Sequence, residues 1–260
     1  MEIETPFLVL VNNSRTVIEQ INLMIENNKY KSIQTDPIEI YDTYYDTTDK
    51  NLKRNNINLR IRKTNSKNTK VTLKNQIESN RDHFDRIEIE ESWSHSLYNK
   101  ILDELKDSRV RFDKITDIYH ENPEQTFEFL GLDTIMVKTS KRTVIKAVNN
   151  STKQTEFELA FDQVSVSVKP QDPDPAGFIE LEIESKIKGN QEQFDKFVDK
   201  FTSRNDLFKH WSHNKLETGL ALIYLKSIKK LEKTVDYDDG NFLTKIGIKK
   251  LEAYLSGDNT

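Results

Sequence analysis

Charged and apolar residues alternate along many short segments of this chain, and this pattern restricts the folds open to it. Successive side chains of a β-strand point to opposite faces of a sheet, so residues two apart share a face. Arg60 and Arg62, for example, alternate with Leu59 and Ile61. Short strands of this kind, separated by polar turns, are typical of an antiparallel barrel or sandwich.

The charged face differs in sign from segment to segment. It is wholly acidic at Glu180, Glu182 and Glu184, and basic at Arg142 and Lys146. Water-facing sheets usually mix the two signs because adjacent like charges repel. The alternation leaves two alternatives open. The charged face of the sheet either meets solvent, or it lies inside while helices cover the opposite, apolar face. The same pattern includes Glu2, Glu4, Lys70, Lys74, Arg86, Glu88, Glu90, Glu156, Glu158 and Asp162.

An inward-pointing charged face would need charged ligands, because unpaired buried charges are prohibitively costly. The chain has many carboxylates, five His and no Cys, and such an oxygen-rich donor set suits Mg²⁺ or Mn²⁺. Arginine and lysine on facing strands suit phosphate groups. A polyphosphate that bridges a metal ion and the basic residues would satisfy both sets.

Composition excludes several other classes of protein. The absence of Cys rules out disulfides and thiolate nucleophiles, and the net charge of −4 gives no bulk electrostatic case for nucleic acid. The 260 residues contain no apolar run long enough to span a bilayer and no leader-like start. We therefore expect a cytoplasmic protein with neither a membrane nor a nucleic-acid partner.

Helical spacing of apolar residues predicts five helices. They are one that follows Ser14 as N-cap, one over 96–107, one from about residue 190 with Phe194, Phe197, Val198 and Phe201 on one face, one over 215–233 and one over 243–255. Strands are predicted over 3–11, 38–46, 57–63, 70–75, 84–91, 126–138, 142–148, 154–161, 164–169 and 178–185. The predicted domains are a strand-rich domain over 1–225 and a helical extension over 226–260.

Several of these segments, in their order along the chain, resemble one known family. They are Glu2-Ile3-Glu4, Tyr45-Asp46-Thr47-Thr48-Asp49, Leu59-Arg60-Ile61-Arg62, Val71-Thr72-Leu73-Lys74, Arg86-Ile87-Glu88, Arg142, Glu158 to Asp162, Glu180-Leu181-Glu182 and Ser212 to Lys215. Together they are similar to the motifs of the CYTH, or triphosphate tunnel metalloenzyme, superfamily. The likeness runs from residue 1 to about residue 222.

The resemblance implies an α+β fold built on a closed antiparallel eight-stranded β-barrel, with charged residues inside and helices around it. The superfamily includes inorganic, thiamine and RNA triphosphatases and class IV adenylate cyclases. It therefore implies a metal-dependent hydrolase of inorganic triphosphate or a small organic or nucleoside triphosphate. A non-catalytic binding module and a cyclase are the alternatives, and a homodimer is left open.

The resemblance also assigns roles to individual residues. The implied ligands of Mg²⁺ or Mn²⁺ are Glu2, Glu4, Asp162, Glu180 and Glu182. The implied phosphate ligands are Arg60, Arg62, Lys74, Arg86, Arg142 and Lys215. Glu4 and Glu90 are the candidates to position or deprotonate the attacking water.

One position departs from the family pattern. The opening motif has a Lys two residues after its second Glu, and this chain has Pro6 there. The change removes a positive charge and a backbone N–H. Either another base supplies the charge, or the protein binds a triphosphate and hydrolyses it poorly.

Overall fold

The computed structural model describes residues 3–11, 13–65, 68–79, 83–108, 110, 119–187 and 189–258, with only the backbone of 76–79 and 83–87. The described residues form a mixed α+β structure of ten strands and seven helices. The chain divides into two compact units. The first comprises Met1–Glu39, Ser140–Val166 and Pro173–Thr260, and the second comprises Ile40–Thr139 and Ser167–Asp172.

The strands are β1 (Glu4–Val9), β2 (Tyr30–Gln34), β3 (Ile38–Thr47), β4 (Ile57–Thr64), β5 (Asn68–Ser79), β6 (His83–Ser92), β7 (Leu132–Asn149), β8 (Thr155–Ser167), β9 (Ala176–Ser185) and β10 (Phe208–His210). The helices are α1 (Ser14–Asn27), α2 (Asn51–Arg54), α3 (His95–Asp107), α4 (Pro123–Phe129), α5 (Gln191–Thr202), α6 (Lys215–Ser227) and α7 (Lys245–Leu255).

Antiparallel pairing orders the strands within each unit. In the first unit the order is β10-β1-β9-β8-β7, and β2 also pairs with β7. In the second unit the order is β7-β3-β4-β5-β6. The prediction of an α+β protein with an antiparallel sheet is therefore confirmed. Closure into an eight-stranded barrel is not confirmed, because the sheet has ten strands and its order ends at β10 and at β6.

The apolar faces of the alternating strands lie in hydrophobic cores. In the first unit, Phe157 and Leu159 of β8 and Leu181 of β9 pack with residues of α1 and α5, including Ile21 and Phe197. The second unit has its own core, in which apolar residues of β4 and β5 pack with residues of α3. Both units therefore turn the apolar face of their strands toward helices, which both sequence alternatives allow.

Two segments differ from the sequence prediction because of local turn chemistry. The predicted strand over 126–138 is wrong at its start, where Asn122 caps a short helix with Pro123 at its first turn. The rest of that segment joins the predicted strand over 142–148 to form β7. The N-cap of α1 is Asn13 rather than Ser14, because the Asn13 side chain accepts a hydrogen bond from the Thr16 N–H.

The C-terminal residues are attached to β9 within the first unit. The Leu243 N–H donates to the Gly177 carbonyl at 2.8 Å, and Gly177 forms a parallel bridge with Phe242. A Cβ at Gly177 would lie 2.9 Å from the Asn241 carbonyl oxygen, so this close approach needs glycine. The predicted division at residue 225 stays a prediction. Within the described residues, we find no helix with the length and apolarity for crossing a bilayer.

Candidate functional site

Three carboxylates lie together on the charged face of β8 and β9, in the first unit. Asp162 and Glu180 are directly opposite each other in the β8–β9 pairing, and Glu182 is two residues further along β9. Their side chains are 0%, 3% and 23% exposed, respectively. We call Asp162, Glu180 and Glu182 the acidic cluster.

Two basic side chains pair with the acidic cluster. The Lys215 ammonium lies 2.9 Å from Glu182, 3.2 Å from Glu180 and 3.5 Å from Asp162. Arg142 of β7 forms a bidentate pair with Asp162 at 2.7 and 2.6 Å. Lys215 is the first residue of α6, whose start is fixed by a reciprocal capping box between Asn214 and Glu217. The cap therefore positions the ammonium over β9.

The electrostatics of the cluster favour the ionised forms of Glu182, Lys215 and Arg142. Burial alone would raise the pKa of Glu182, but the Lys215 ammonium and the Arg142 guanidinium hold it below its usual value. Burial would lower the pKa of Lys215, and the carboxylates of Glu180, Glu182 and Asp162 outweigh that effect and raise it. The pKa of Arg142 is raised for the same reason, mainly by Asp162. At neutral pH Glu182, Lys215 and Arg142 are thus charged and paired within the site.

Glu4 lies beside this cluster on the neighbouring strand. It is opposite Glu184 of β9, and Glu184 is in turn opposite Glu158 of β8. The Lys186 ammonium lies 2.7 Å from Glu184 and 3.6 Å from Glu158. Glu4 itself is exposed. The structure therefore places Glu4, a predicted metal ligand, on the strand that pairs with β9 of the acidic cluster. Glu2 lies outside the described residues.

The second unit has a charged cluster of its own, centred on the fully buried Asp42 of β3. Arg62 donates two hydrogen bonds to Asp42, at 2.7 and 3.0 Å, and the Lys138 ammonium lies 2.8 Å from it. The Lys138 side chain is only 1% exposed. We call Asp42, Arg62 and Lys138 the Asp42 cluster.

Arg60 and Glu90 belong to the same sheet as the Asp42 cluster, on β4 and β6. Arg60 lies opposite Thr72 of β5, and Thr72 lies opposite Glu90 of β6. Glu90 is 3.5 Å from Arg60 and 3.1 Å from the Lys70 ammonium, and it accepts a hydrogen bond from Thr72 at 3.0 Å. Burial would raise the pKa of Glu90, but these partners hold it below its usual value.

This unit also contains the predicted phosphate ligands Lys74 and Arg86. Lys74 of β5 lies opposite Glu88 of β6, and its ammonium is 2.8 Å from the Glu88 carboxylate. The side chain of Arg86 lies outside the described residues. Each described cation in these rows thus has a carboxylate partner, which a competing phosphate would have to replace.

Sequence reasoning missed Asp42, Lys138 and Lys186. Lys138 could have been found by extending the alternation of β7 back from Arg142 through Ser140, since all three share one face. Asp42 carried no such signal, because its role depends on its register with Arg62. The motif residue Asp46 is structural, since it accepts from the N–H groups of Leu52 and Lys53 at the start of α2.

The acidic cluster fits a divalent metal in its donor chemistry but is arranged around an ammonium. Asp162, Glu180 and Glu182 are hard oxygen donors on adjacent strands, the type that Mg²⁺ and Mn²⁺ prefer. In the part of the chain that the structure describes, no three acidic or imidazole groups already converge as a metal site. Lys215 instead meets all three carboxylates.

The fold and these clusters define an α+β protein whose antiparallel strands carry matched acidic and basic side chains. Residues 1–218 match the CYTH domain family, which is most of the chain. The chain therefore belongs to the CYTH family. No curated protein sequence matches it.

One solved structure shares the fold, and a second is more distantly similar. HpAC1 from Hippeastrum, an adenylyl cyclase homologue described as having a dominant triphosphatase activity, is 13% identical, with a TM-score of 0.52. The match covers 90% of this chain and 98% of HpAC1. A proposed adenylate cyclase of Bacillus halodurans is 17% identical over 84% of this chain and 96% of its own, with a TM-score of 0.49.

Proposed function

We propose that this protein is a metal-dependent triphosphatase that acts on inorganic triphosphate or a small organic triphosphate. The observation that carries the proposal is the acidic cluster, where two buried carboxylates and the half-buried Glu182 surround the Lys215 ammonium beside Arg142. Such a site offers oxygen donors to a cation and nitrogen donors to phosphate oxygens. The triphosphatase activity described for HpAC1, which shares the fold, is consistent with it.

In this proposal, each set of side chains has a distinct task. Asp162, Glu180 and Glu182, with Glu4, would hold Mg²⁺ or Mn²⁺, and Lys215 and Arg142 would donate to the phosphate groups. The metal would neutralise charge that develops on the phosphate oxygens. Arg60, Arg62, Lys74 and Arg86 remain predicted phosphate ligands. Because its pKa is lowered, Glu90 is suited to orienting water rather than to accepting a proton.

The proposal predicts phosphate release that depends on the acidic cluster. With Mg²⁺ or Mn²⁺ present, we expect turnover of at least one of inorganic triphosphate, ATP and thiamine triphosphate. Glu182→Gln keeps the size of the side chain and removes its charge, so kcat/KM should fall by about 100-fold. A colorimetric phosphate assay measures both, and a parallel assay for cyclic AMP tests the cyclase alternative.

A matched control is Glu192→Gln, since Glu192 is exposed on α5 and pairs with Lys196 one turn further along the same helix. We expect its kinetics to equal those of the wild type. Absence of turnover across all three substrates and both metals would rule out the triphosphatase. Cyclic AMP formation from ATP that exceeds phosphate release would favour a cyclase.

A non-catalytic binding module is the second candidate, and Pro6 favours it. Pro6 lies directly opposite Glu182 in the β1–β9 pairing, so a lysine at this position would face the acidic cluster. The Pro6 carbonyl accepts from the Trp211 N–H, and a residue's N and O point to the same side of a strand. The missing N–H therefore removes no hydrogen bond from the pairing with β9, and proline is tolerated.

The binding-module hypothesis predicts that the wild type binds inorganic triphosphate without hydrolysing it, and that Pro6→Lys introduces turnover. The reason is that the added ammonium would stabilise charge beside Glu182 during phosphoryl transfer. Calorimetry gives the affinity and phosphate release gives the turnover. Robust hydrolysis by the wild type would reject this candidate.

A further inference from the structure

Two buried side chains of the second unit lie behind a predicted phosphate ligand, Arg62. The Asp42 and Lys138 side chains are 0% and 1% exposed, whereas the Arg62 side chain is 17% exposed. Asp42 contacts both cations, because the Lys138 ammonium lies 2.8 Å from it and Arg62 donates to it at 2.7 and 3.0 Å. Within the Asp42 cluster, Arg62 is therefore the side chain that a ligand can reach.

The hydrogen bonds to Asp42 engage one edge of the Arg62 guanidinium. Asp42 accepts one of them from Nε and the other from Nη2. A guanidinium has five N–H donors in a rigid planar fork, so these two bonds leave the two donors of Nη1 and one of Nη2. Those donors lie along the end of the side chain. That end can donate to a phosphate group while Asp42 keeps its own two hydrogen bonds.

Strand pairing fixes the carboxylate that holds this guanidinium. Asp42 of β3 is directly opposite Arg62 of β4 in the antiparallel pairing, so the two side chains share one face of the sheet. On its other side, Arg62 is opposite Lys70 of β5, which is a second cation. The orientation of the guanidinium is thus set by Asp42 in the free protein, before any anion binds.

Lys138 keeps the Asp42 cluster cationic. Burial alone would raise the pKa of Asp42, but Lys138 and Arg62 hold it well below its ordinary value, so Asp42 is charged at neutral pH. A pair of Asp42 and Arg62 alone would carry no net charge and would attract an anion weakly. The Lys138 ammonium offsets the carboxylate, so the charge of Arg62 stays available to a ligand.

We propose that Asp42 and Lys138 are positioning residues for Arg62. Asp42 holds the guanidinium with its outer end free for a phosphate group, and Lys138 offsets the charge of Asp42. A side chain that is ordered before binding loses less conformational freedom when the ligand arrives. This role rests on the proposed function, since it takes the phosphate groups of a triphosphate as the ligands of Arg62.

Asp42→Val combined with Lys138→Met removes the anchor and keeps the charge. The cluster has two cations and one carboxylate before the change and Arg62 alone after it, so its net charge is the same. Replacing a buried ion pair by apolar side chains is often neutral for stability, and urea unfolding checks this. Inorganic triphosphate should bind this paired variant about three- to tenfold more weakly, because Arg62 must then be ordered on binding.

Arg62→Met distinguishes positioning from a general structural effect. If Asp42 and Lys138 act through Arg62, the paired substitution weakens triphosphate binding in the wild type and has no effect in Arg62→Met. The paired substitution leaves the net charge unchanged in both backgrounds, so long-range attraction is the same. Equal weakening in both backgrounds would show a structural defect and would overturn the proposal.

The Arg62 side chain provides a readout that needs no substrate. Its Nε–H donates to Asp42 at 2.7 Å, so hydrogen exchange at this position, followed by NMR, should be about tenfold or more faster in the paired variant. Exchange at the wild-type rate would overturn the proposal. Lys63→Met with Glu124→Gln is the matched control, because it removes an ion pair whose side chains are 48% and 43% exposed. It should bind triphosphate like the wild type.

Calorimetry with inorganic triphosphate at fixed ionic strength, first with EDTA and then with Mg²⁺, gives the affinities, and phosphate release gives the turnover. Binding without turnover that weakens in the paired variant would reject the triphosphatase and support the role of Asp42 and Lys138. Turnover and affinity equal to those of the wild type in the paired variant would reject that role alone. A wild type that does not bind triphosphate under either condition would overturn both.

Discussion

Lys215→Met is expected to reduce the free energy of unfolding by about 3–5 kcal/mol at neutral pH. Methionine keeps an unbranched, flexible side chain but removes the ammonium that lies within 3.5 Å of Asp162, Glu180 and Glu182. Arg142 alone would then have to balance three carboxylates that are largely buried. Loss of one partner from a buried ionic set is costly because the remaining charges stay desolvated.

The same variant tests whether the acidic cluster accepts a metal. A divalent cation that binds the three carboxylates would replace the missing charge, so Mg²⁺ or Mn²⁺ should stabilise Lys215→Met more than the wild type. At 100 times the dissociation constant, the stabilisation would be about 2.7 kcal/mol. Urea unfolding followed by circular dichroism, with and without metal, measures both effects.

Two controls make this result interpretable. Lys200→Met removes an exposed lysine of α5 and should change stability by less than about 0.5 kcal/mol. Lys215→Met combined with Glu182→Gln should recover part of the lost stability, since one unbalanced carboxylate is gone. If metal stabilised Lys215→Met no more than it stabilises the wild type, Asp162, Glu180 and Glu182 would not be the metal ligands.

The alternation of charged and apolar residues predicted the strands, whose side chains repeat with a period of two residues. The strands β4, β5 and β9 and the shared face of Glu180 and Glu182 follow from residue spacing alone, because strand geometry fixes which side chains of one strand lie together. The start of α6 near Lys215 was also predictable, from the cap and the apolar spacing. These features are encoded within single segments.

Features that depend on pairing between distant segments were not predictable in this way. The short strands β2 and β10 are defined by their partners β7 and β1 rather than by their own residues. The pairing of Asp42 with Arg62 and Lys138 requires a register that no single strand specifies. The predicted strand count and closure of the sheet are not confirmed for the same reason, since both depend on which edges meet.

Asp42→Asn is expected to cost about 3–5 kcal/mol at neutral pH, comparable to the loss at Lys215. Asparagine has nearly the same shape, so the change isolates the charge. It would leave Arg62 and the buried Lys138 without the carboxylate that lies 2.7 to 3.0 Å from their nitrogens. Asp103→Asn is the matched control in the same unit, because the Asp103 side chain is 75% exposed.

The pH dependence of this loss has a definite sign. Burial alone would raise the pKa of Asp42, but Lys138, Arg62 and Arg60 hold it well below the ordinary 3.8. A carboxyl whose pKa is lowered by folding contributes stability that is present above its unfolded pKa and is lost as the pH falls through the folded value. The wild type should thus exceed Asp42→Asn by a constant margin at pH 7 and pH 5, and by less at pH 3. Urea midpoints at the three values measure the margin, and a margin that grows toward pH 3 would show that Asp42 is not held ionised by these cations.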